Sequence, residues 1–276
     1  MSRIEISGLS KSYGSRSILS DINFSMEEGE FVSIVGASAS GKTTLIKMIS
    51  GLASPDEGTV SIGGKRVDGF PVGAAIVFQN YSLLPWLSAL ENVRLAVEAA
   101  FPSYTAREQT AHSQRYLEMV GLGSAGLKKP GQLSGGMRQR VAIARAFAVE
   151  PSVIFLDEPF GALDALTRVT LQQELASMCS AVTKPVTALM ITNSVEEAVL
   201  LSDRIHALGR GPGATLSSGF PVSIPKPRAA SLLHDKKAIA LKNRIGEFLA
   251  AGAKPSRRIT EAASQKSQTD VAMEIA

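Results

Sequence analysis

Short, continuous apolar runs recur along the chain between turn residues and charges. Residues 31–35, 74–78 and 186–191 are of this kind, and residues 153–156 form a fourth run that ends at two carboxylates. Apolar stretches of this length without alternation are typical of strands that are buried on both faces of a sheet. Residues 4–33, which lead into the first run, instead alternate apolar and polar positions, and this predicts half-buried strands of a small antiparallel sheet.

Helical periodicity replaces this pattern between about residues 83 and 148, beginning with Leu90, Val93, Leu95 and Val97. Ser134 is suited to cap the last helix of this stretch, which is predicted to run to about residue 149. Single helices are predicted after Thr43, after Asp164 and over residues 238–248. The alternation of strands and helices implies a mostly parallel sheet with a helical insertion, and such sheets bind ligands at the carboxyl ends of their strands.

Composition limits the classes of protein to which the chain can belong. It has 276 residues, of which 45% are hydrophobic, enough for one large α/β domain with an insertion or for two ordinary domains. No run of about 18 apolar residues occurs, and the N-terminus lacks the apolar core of a signal peptide. The single cysteine, Cys179, fits a reducing compartment, and a net charge of +4 gives no reason to infer nucleic-acid binding. We therefore expect a soluble cytoplasmic protein that does not bind nucleic acid.

The strongest candidate for a binding site lies between the first buried strand and the helix after it. It fits the phosphate-binding loop pattern of a glycine, four free positions and Gly-Lys-Ser/Thr, in residues Gly36, Ala37, Ser38, Ala39, Ser40, Gly41, Lys42, Thr43 and Thr44. A strand, a tight turn and a helix N-terminus direct backbone N–H groups and the positive end of the helix dipole at one point, which suits a phosphate chain. The pattern assigns Lys42 to the outer phosphates and the Thr43 hydroxyl to Mg²⁺. The following helix is predicted to bury one face, formed by Leu45, Met48, Ile49 and Leu52.

Two adjacent acidic residues, Asp157 and Glu158, end the fourth apolar run. Core strands rarely tolerate adjacent acids unless these acids act at the end of the strand. In enzymes that transfer a phosphoryl group, such a strand places one aspartate near Mg²⁺ and the next acid near the attacking water. With the phosphate loop, the pair predicts a site for a nucleotide and Mg²⁺.

Other signals have ordinary explanations when each is taken alone. The glycines after Ser134, Gly135 and Gly136, would let a ligand approach bare backbone amides, although a capped helix start needs no ligand. Tyr13 follows a predicted strand and could stack on an adenine ring, although most single tyrosines merely pack. The better interpretation of each histidine is an exposed or packed imidazole: His112, His206 and His234.

The order of these pieces resembles the ATP-binding subunit of an ABC transporter over roughly residues 2–250. The resemblance rests on the phosphate loop, Gln79, residues 133–137, Asp157-Glu158 and Ala162-Leu163-Asp164, with Tyr13 where the family stacks its adenine. It implies an α/β fold, a P-loop NTPase core of the RecA type with an antiparallel β subdomain and an inserted α-helical subdomain. The expected divisions are a core of residues 1–88 and 149–228, a helical subdomain of residues 89–148, and a C-terminal helix with a mobile tail in residues 229–276.

The same resemblance implies a mechanism that uses ATP and Mg²⁺. In this family two subunits enclose two ATP molecules, and the phosphate loop of one faces the Ser134–Gly136 cap of the other, so hydrolysis needs a homo- or heterodimer. Thr43, Gln79 and Asp157 would contact the metal, and Gln79 would also sense the membrane partner through the helical subdomain. By resemblance, Glu158 would polarise the attacking water and Asp164 would belong to the nucleotide site.

Three further segments point to a group within the family. Residues 78–86 look like the importers of nitrate, of sulfonate or taurine and of cyanate, and residues 171–175 and 199–204 look closest to nitrate/nitrite importers. Nitrate or nitrite is therefore the expected cargo, and sulfonate or taurine, cyanate and bicarbonate are the alternatives. The chain would then act at the cytoplasmic face of the inner membrane with permease subunits and, indirectly, an extracytoplasmic solute-binding protein. Apolar residues near 83–90 are candidates for permease docking, although core packing explains several of them equally well. A relative that acts on DNA or ribosomes is disfavoured, because the chain has one cassette, one cysteine and a short insertion.

Two residues depart from the family pattern. The family usually has a histidine after the 186–191 strand, which holds the γ-phosphate and positions the attacking water, and this chain has Asn193. An amide can donate a hydrogen bond but carries no charge. Ala39 stands where the family usually has glycine, and alanine costs on the order of 1 kcal/mol if that position needs a positive φ. The hypothesis is that ATP binding survives while hydrolysis is slowed, and the alternative is a binding-only partner in an asymmetric dimer.

Overall fold

A computed structural model describes residues 2–180 and 185–251 of the chain. An antiparallel sheet of four strands contains β1 (Ser2–Tyr13), β2 (Arg16–Glu27), β4 (Glu57–Ile62) and β5 (Lys65–Arg66), in the order β2-β1-β4-β5. Alternate residues of β1 are buried, among them Ile4 and Ile6, as expected for strands that cover a core with one face only. The small antiparallel sheet predicted from the sequence is confirmed.

The second sheet has six strands in the order β10-β9-β3-β8-β7-β6. Its strands are β3 (Phe31–Val35), β6 (Ala74–Val77), β7 (Val153–Asp157), β8 (Thr187–Thr192), β9 (Arg204–Ala207) and β10 (Phe220–Pro221). Only the pairing of β10 with β9 is antiparallel. Every residue of β3, β7 and β8 is buried, which explains why these strands are mostly apolar and lack polar–apolar alternation in the sequence.

Seven α-helices lie in the described part of the chain. They are α1 (Lys42–Ile49), α2 (Ala89–Ala100), α3 (Ala106–Met119), α4 (Gly135–Phe147), α5 (Ala165–Cys179), α6 (Val195–Leu201) and α7 (Lys236–Ala251). Helices α2, α3 and α4 contribute Val93, Leu117 and Val141 to one core cluster. The exact domain boundaries assigned from the sequence stay predictions. The structure describes the helix that precedes the predicted tail, and the tail itself lies outside the described residues.

Two apolar residues of the predicted helical pattern, Leu52 and Leu95, are exposed. Leu52 lies beyond the end of α1 and is 46% exposed, because the chain turns at Gly51, whose φ is 73°. Leu95 lies on α2 but is 50% exposed. It is two residues from both Val93 and Val97, which are four apart and share the buried face, so it points away from them.

Over residues 2–180 and 185–251, no helix combines the length and the apolar character that crossing a membrane requires.

Candidate nucleotide-binding site

The carboxyl ends of three neighbouring strands bring the predicted site residues to one edge of the large sheet. Strand β3 pairs in parallel with β8, and β8 pairs in parallel with β7. The phosphate loop follows β3, Asn193 follows β8, and Glu158 follows β7. Parallel pairing therefore places these three segments side by side, at the end of the sheet where such folds bind ligands.

The phosphate loop leads into α1 without a side-chain cap. The residue before the helix, Gly41, has a φ of 101°, and no side chain accepts a hydrogen bond from the first turn. The first N–H groups of a helix have no intrahelical partner, so those of α1 are free to bind an anion. Gly36 is required at the other end of the loop, because a Cβ there would lie 2.8 Å from the Ser40 hydroxyl oxygen.

Ala39 adopts the left-handed conformation that the sequence left undecided. Its φ is 61°, and it is exposed at the tip of the loop. A side chain in this region costs about 1–2 kcal/mol relative to the right-handed conformation. The position therefore favours the glycine that the family pattern has there.

Lys42 is buried, and its ammonium group is bound entirely within the chain. Nζ donates to the carbonyl oxygens of Gly36 (3.1 Å) and Ala37 (2.9 Å) and to Oδ1 of Asn193 (2.6 Å). It also lies 3.5 Å from Oε1 of Glu158. These acceptors occupy the three donors of the ammonium group, so a phosphate oxygen has to displace one of them.

Asn193 connects the lysine to the catalytic carboxylate predicted from the sequence. Its Nδ2 donates to Oε1 of Glu158 at 2.8 Å, while its Oδ1 accepts from Lys42. Gln79 approaches the other oxygen of the same carboxylate, with Nε2 3.4 Å from Oε2. We call Lys42, Asn193, Glu158 and Gln79 the polar network. Glu158 adopts a φ of 45°, and such strained residues cluster at functional sites.

Burial dominates the electrostatics of this site. Burial lowers the pKa of Lys42, although the nearby carboxylates of Glu158 and Asp157 act in the opposite direction. Burial also raises the pKa of Asp157, and the charge of Glu158 adds to this effect. A cation at Asp157 would relieve the cost of keeping two neighbouring carboxylates ionised.

The residues around Asp157 fit Mg²⁺. Oδ1 of Asp157 is buried and has no hydrogen-bond partner among the described residues, and the Thr43 hydroxyl contacts the same carboxylate. Mg²⁺ prefers oxygen ligands and is usually held by one or two carboxylates together with substrate phosphates. No group of three or more His, Cys, Asp or Glu side chains that could hold a metal ion occurs in residues 2–180 and 185–251.

A cavity of about 480 Å³ borders the phosphate loop on the side of the antiparallel sheet. It is lined by loop residues 37–40, by Ser17 and Ile18 of β2, and by Arg16, Arg210 and Gly211. Tyr13 lies at the end of β1 with 56% of its surface exposed, and the Lys11 ammonium lies 5.6 Å from the centroid of its ring. The two arginines were not identified from the sequence, because no motif includes them.

The Ser134 cap lies apart from the phosphate loop. The Ser134 hydroxyl accepts from the N–H of Met137 at 3.2 Å and caps α4, as predicted. Side chains added at Gly135 and Gly136 would meet Tyr81, Ala162, Leu163 and Thr167, none of which belongs to the phosphate loop. Asp164 caps α5 by accepting from the N–H of Thr167 at 3.0 Å. Among the described residues, neither the Ser134 cap nor Asp164 makes a hydrogen bond or an ion pair with the phosphate loop.

Neither of the two histidines with described contacts takes part in the polar network. His206 is buried on β9, where Nδ1 lies 3.0 Å from the Ser217 carbonyl oxygen, and burial lowers its pKa to about 4. Nε2 of His112 lies 2.8 Å from the carbonyl oxygen of Ala148, at the end of α4. His234 is exposed in a short 3₁₀ helix.

Comparison with known proteins agrees with the arrangement of the site. A family model described as "ABC transporter" matches residues 19–161. The bicarbonate transport ATP-binding protein CmpC of Synechocystis sp. is 49% identical over 232 residues, which are 84% of this chain. The chain spans only 34% of the length of that relative.

Two further proteins match over most of their own length. The nitrate import ATP-binding protein NrtD of Synechococcus elongatus is 43% identical over 232 residues, which are 84% of each protein. A solved dimeric structure of the ATP-binding cassette MJ0796, bound to ADP and Pi, has a TM-score of 0.70 and 31% identity, and it covers 80% of this chain and 100% of that one.

Proposed function

Because the chain belongs to the ABC transporter family of ATPase domains, we propose that it binds ATP and Mg²⁺ and hydrolyses ATP to drive an importer of a small oxyanion. The observation that supports this best is the convergence of the phosphate loop, Asp157-Glu158 and Asn193 at one edge of the sheet. Backbone amides, a buried lysine and two carboxylates are the parts that phosphoryl transfer to water requires.

Each residue of the site has a separate task in this proposal. The free N–H groups at the start of α1 and the ammonium of Lys42 bind the phosphate chain. Asp157, Thr43 and Gln79 would hold Mg²⁺, which would neutralise charge on the phosphates. Glu158 orients and polarises the attacking water, and its hydrogen bond from Asn193 fixes the carboxylate for this task.

Asn193 sets the expected rate of this enzyme. Its Nδ2 carries two hydrogens, so it can keep its bond to Glu158 and donate the other hydrogen to a phosphate oxygen. A neutral donor forms a hydrogen bond roughly half as strong as a charged one, so binding is retained while charge that develops in the transition state is stabilised less. We therefore propose slow turnover rather than an inactive site.

A dimer completes the site in this proposal. The Ser134 cap presents the N-terminus of α4 to solvent and has no contact with the phosphate loop of its own chain. The MJ0796 relative, solved as a dimer bound to ADP and Pi, supports a second ATP-binding subunit as the partner. A heterodimer, in which this chain is the slower half, is the second candidate, and the substitution of Asn193 for histidine favours it.

The proposed place of work is the cytoplasmic face of the inner membrane, where permease subunits hold the protein and an extracytoplasmic binding protein delivers the cargo. Trp86 supports this docking, because 65% of its surface is exposed on the segment that follows Gln79. CmpC and NrtD support nitrate or bicarbonate, both small planar oxyanions, as the cargo.

Uptake and stoichiometry test this proposal. Cells that lack the gene should lose uptake of labelled nitrate or bicarbonate, and the wild-type gene should restore it while a Lys42→Ala variant should not. Restoration by the Lys42→Ala variant, or unchanged uptake of both anions without the gene, would contradict the proposal.

The native mass of the complex purified with its permease should correspond to two copies of this chain. A mass that corresponds to one copy beside a second cassette would instead establish the heterodimer.

A further inference from the structure

Two strained residues follow the Gln79 region. Tyr81 and Ser82 have φ values of 64° and 48°, so two consecutive residues with side chains adopt the left-handed conformation. Such residues persist only where the surrounding structure fixes them. The question is therefore which part of the molecule holds this segment, which we call the Gln79 loop (residues 79–84).

Arg145, on α4, holds the strained pair directly. Nη1 donates to the carbonyl oxygen of Ser82 at 2.6 Å, and Nη2 donates to that of Tyr81 at 2.9 Å. Arg145 is half-buried, and burial lowers its pKa, so the guanidinium is a partly desolvated fork closed on two carbonyl groups. A lysine has no planar fork, so it does not reproduce two donors on separate nitrogens held in this fixed geometry.

The Tyr81 side chain reaches the other end of the same helix. Its ring lies 5.5 Å from the guanidinium of Arg138, and a Cβ added at Gly135 would lie 3.4 Å from its hydroxyl. Arg138 in turn donates to the carbonyl oxygen of Leu133 at 3.0 Å, next to the Ser134 cap. One loop therefore touches α4 both at its first turn and near its last turn.

The far end of the loop is also fixed to a helix of the same bundle. Asn92 of α2 accepts from the N–H of Leu84 at 2.8 Å and donates to its carbonyl oxygen at 3.2 Å. In the other direction, Gln79 reaches the phosphate-binding side through one contact of 3.4 Å with Glu158. The loop is thus tied firmly to the helices and weakly to the strand ends.

We propose that Arg145 and Tyr81 are positioning residues that make the Gln79 loop and the N-terminus of α4 move as one body. This inference rests on the proposed function, because it assigns how a permease contact is transmitted. A force on the exposed residue Trp86 would move Gln79 and the Ser134 cap together, so contact with the membrane partner and closure on ATP become one event. Without the fork, the two parts would respond separately.

The test uses the full protein assembled with its permease and compares Arg145→Lys and Tyr81→Ala with Tyr81→Phe. The phenylalanine variant keeps the ring beneath Arg138 and is the matched control. Arg145→Lys and Tyr81→Ala should lower the permease-stimulated kcat about tenfold while the KM for ATP stays within about twofold. Tyr81→Phe should retain stimulation within about twofold of wild type.

Hydrogen exchange distinguishes this role from a merely structural one. In the wild type, ATP should protect the amides of residues 79–84 and 134–138 together, and in Arg145→Lys only the second segment should gain protection. Joint protection and full stimulation in Arg145→Lys would overturn the inference, and so would an equal loss in Tyr81→Phe. If Arg145→Lys unfolds, the comparison of Tyr81→Ala with Tyr81→Phe tests the inference by the same criteria. Wild-type protein that fails to hydrolyse ATP with its permease would contradict the proposed function instead.

Discussion

Two helix N-termini in this protein are suited to phosphate, yet the chain completes only one of them. Helix α1 begins at Lys42, beside a loop whose charged and polar groups are joined through the polar network. Helix α4 begins at Gly135, with a serine cap and two glycines but no hydrogen bond or ion pair to that network among the described residues. The same backbone physics operates at both, so the difference lies in the side chains that neighbouring strands supply.

This difference indicates which functions a single chain can carry. The α1 site contains the lysine, the carboxylates and the free amides that binding a nucleotide requires. The α4 site contributes amides alone and becomes useful when a phosphate held elsewhere reaches it. Substitutions at α1 should therefore change binding by the isolated protein, and substitutions at α4 should change only the assembled enzyme.

Among the substitutions that compare the α1 and α4 sites, removal of Lys42 should have the largest effect. Lys42→Ala removes the buried charge that binds the phosphates, and loss of one partner of such a pair costs about 2–5 kcal/mol, so ATP affinity should fall by at least about 30-fold. Titration with a fluorescent ATP analogue measures this, with Lys65→Ala on the exposed strand β5 as the control. Equal affinities of Lys42→Ala and the wild type would show that α1 is not the binding site.

Acid should lower the free energy of unfolding through protonation of His206. Its folded pKa of about 4 lies below the ordinary 6.5, so the unfolded chain takes up the proton first. The stabilisation is therefore complete above pH 6.5 and is lost as the pH falls towards 4, by up to about 3 kcal/mol.

Chemical unfolding of the wild type and of His206→Gln across this pH range tests the assignment. Asp157 and Glu197 have raised pKa values and act in the opposite direction, so the difference between the two proteins isolates the histidine. Glutamine keeps a donor for the Ser217 carbonyl group but does not titrate. Parallel pH profiles of the two proteins would refute the assignment.

Ser134→Ala tests the role of the α4 site. Loss of this helix cap should cost about 1 kcal/mol of stability, because the N–H of Met137 loses its acceptor. ATP binding by the isolated protein should stay within about twofold of wild type, whereas hydrolysis in the permease complex should fall. The matched control is Ser103→Ala, which changes an exposed serine outside both helix starts and outside the Gln79 loop. Weaker ATP binding by monomeric Ser134→Ala would contradict the assignment of ATP binding by the isolated protein to the α1 site alone.

Ala39→Gly should produce the smallest effect. Glycine removes the strain of the left-handed φ of 61°, and the greater freedom of glycine in the unfolded chain offsets part of this gain. The free energy of unfolding should rise by less than about 1 kcal/mol. Thermal unfolding measures the change, with Ala37→Gly in the same loop as the control, and a clear loss of stability in Ala39→Gly would contradict the strain argument.

The sequence was sufficient to predict what depends on short-range patterns. Buried strands are continuous apolar runs, and the phosphate loop and the Ser134 cap follow from fixed spacings. The same reasoning placed Leu52 on a buried face and counted Leu95 in the apolar pattern of a helix, and the structure exposes both. Periodicity gives no information on where a helix ends or on which side of a helix an isolated apolar residue points.

The contacts that require three dimensions could not be predicted in the same way. Nothing in the sequence shows that the Asn193 amide joins Lys42 to Glu158, because these residues come from three separate strand ends. The Arg145 fork was also missed, although a charged residue inside the otherwise apolar second half of α4 is a signal that could have identified it. An arginine that is even half-buried needs acceptors, and only the fold reveals them.

The most direct test of the account is single-turnover ATP hydrolysis by the permease-bound protein, compared with Asn193→His and Asn193→Ala. The account predicts that histidine leaves the Kd for ATP within about threefold and raises the hydrolysis rate by about tenfold or more, because a charged donor then faces the γ-phosphate. Alanine should lower the rate, since the Glu158 carboxylate loses its hydrogen bond. A rate that is unchanged or lower in Asn193→His would contradict the claim that Asn193 limits catalysis rather than binding.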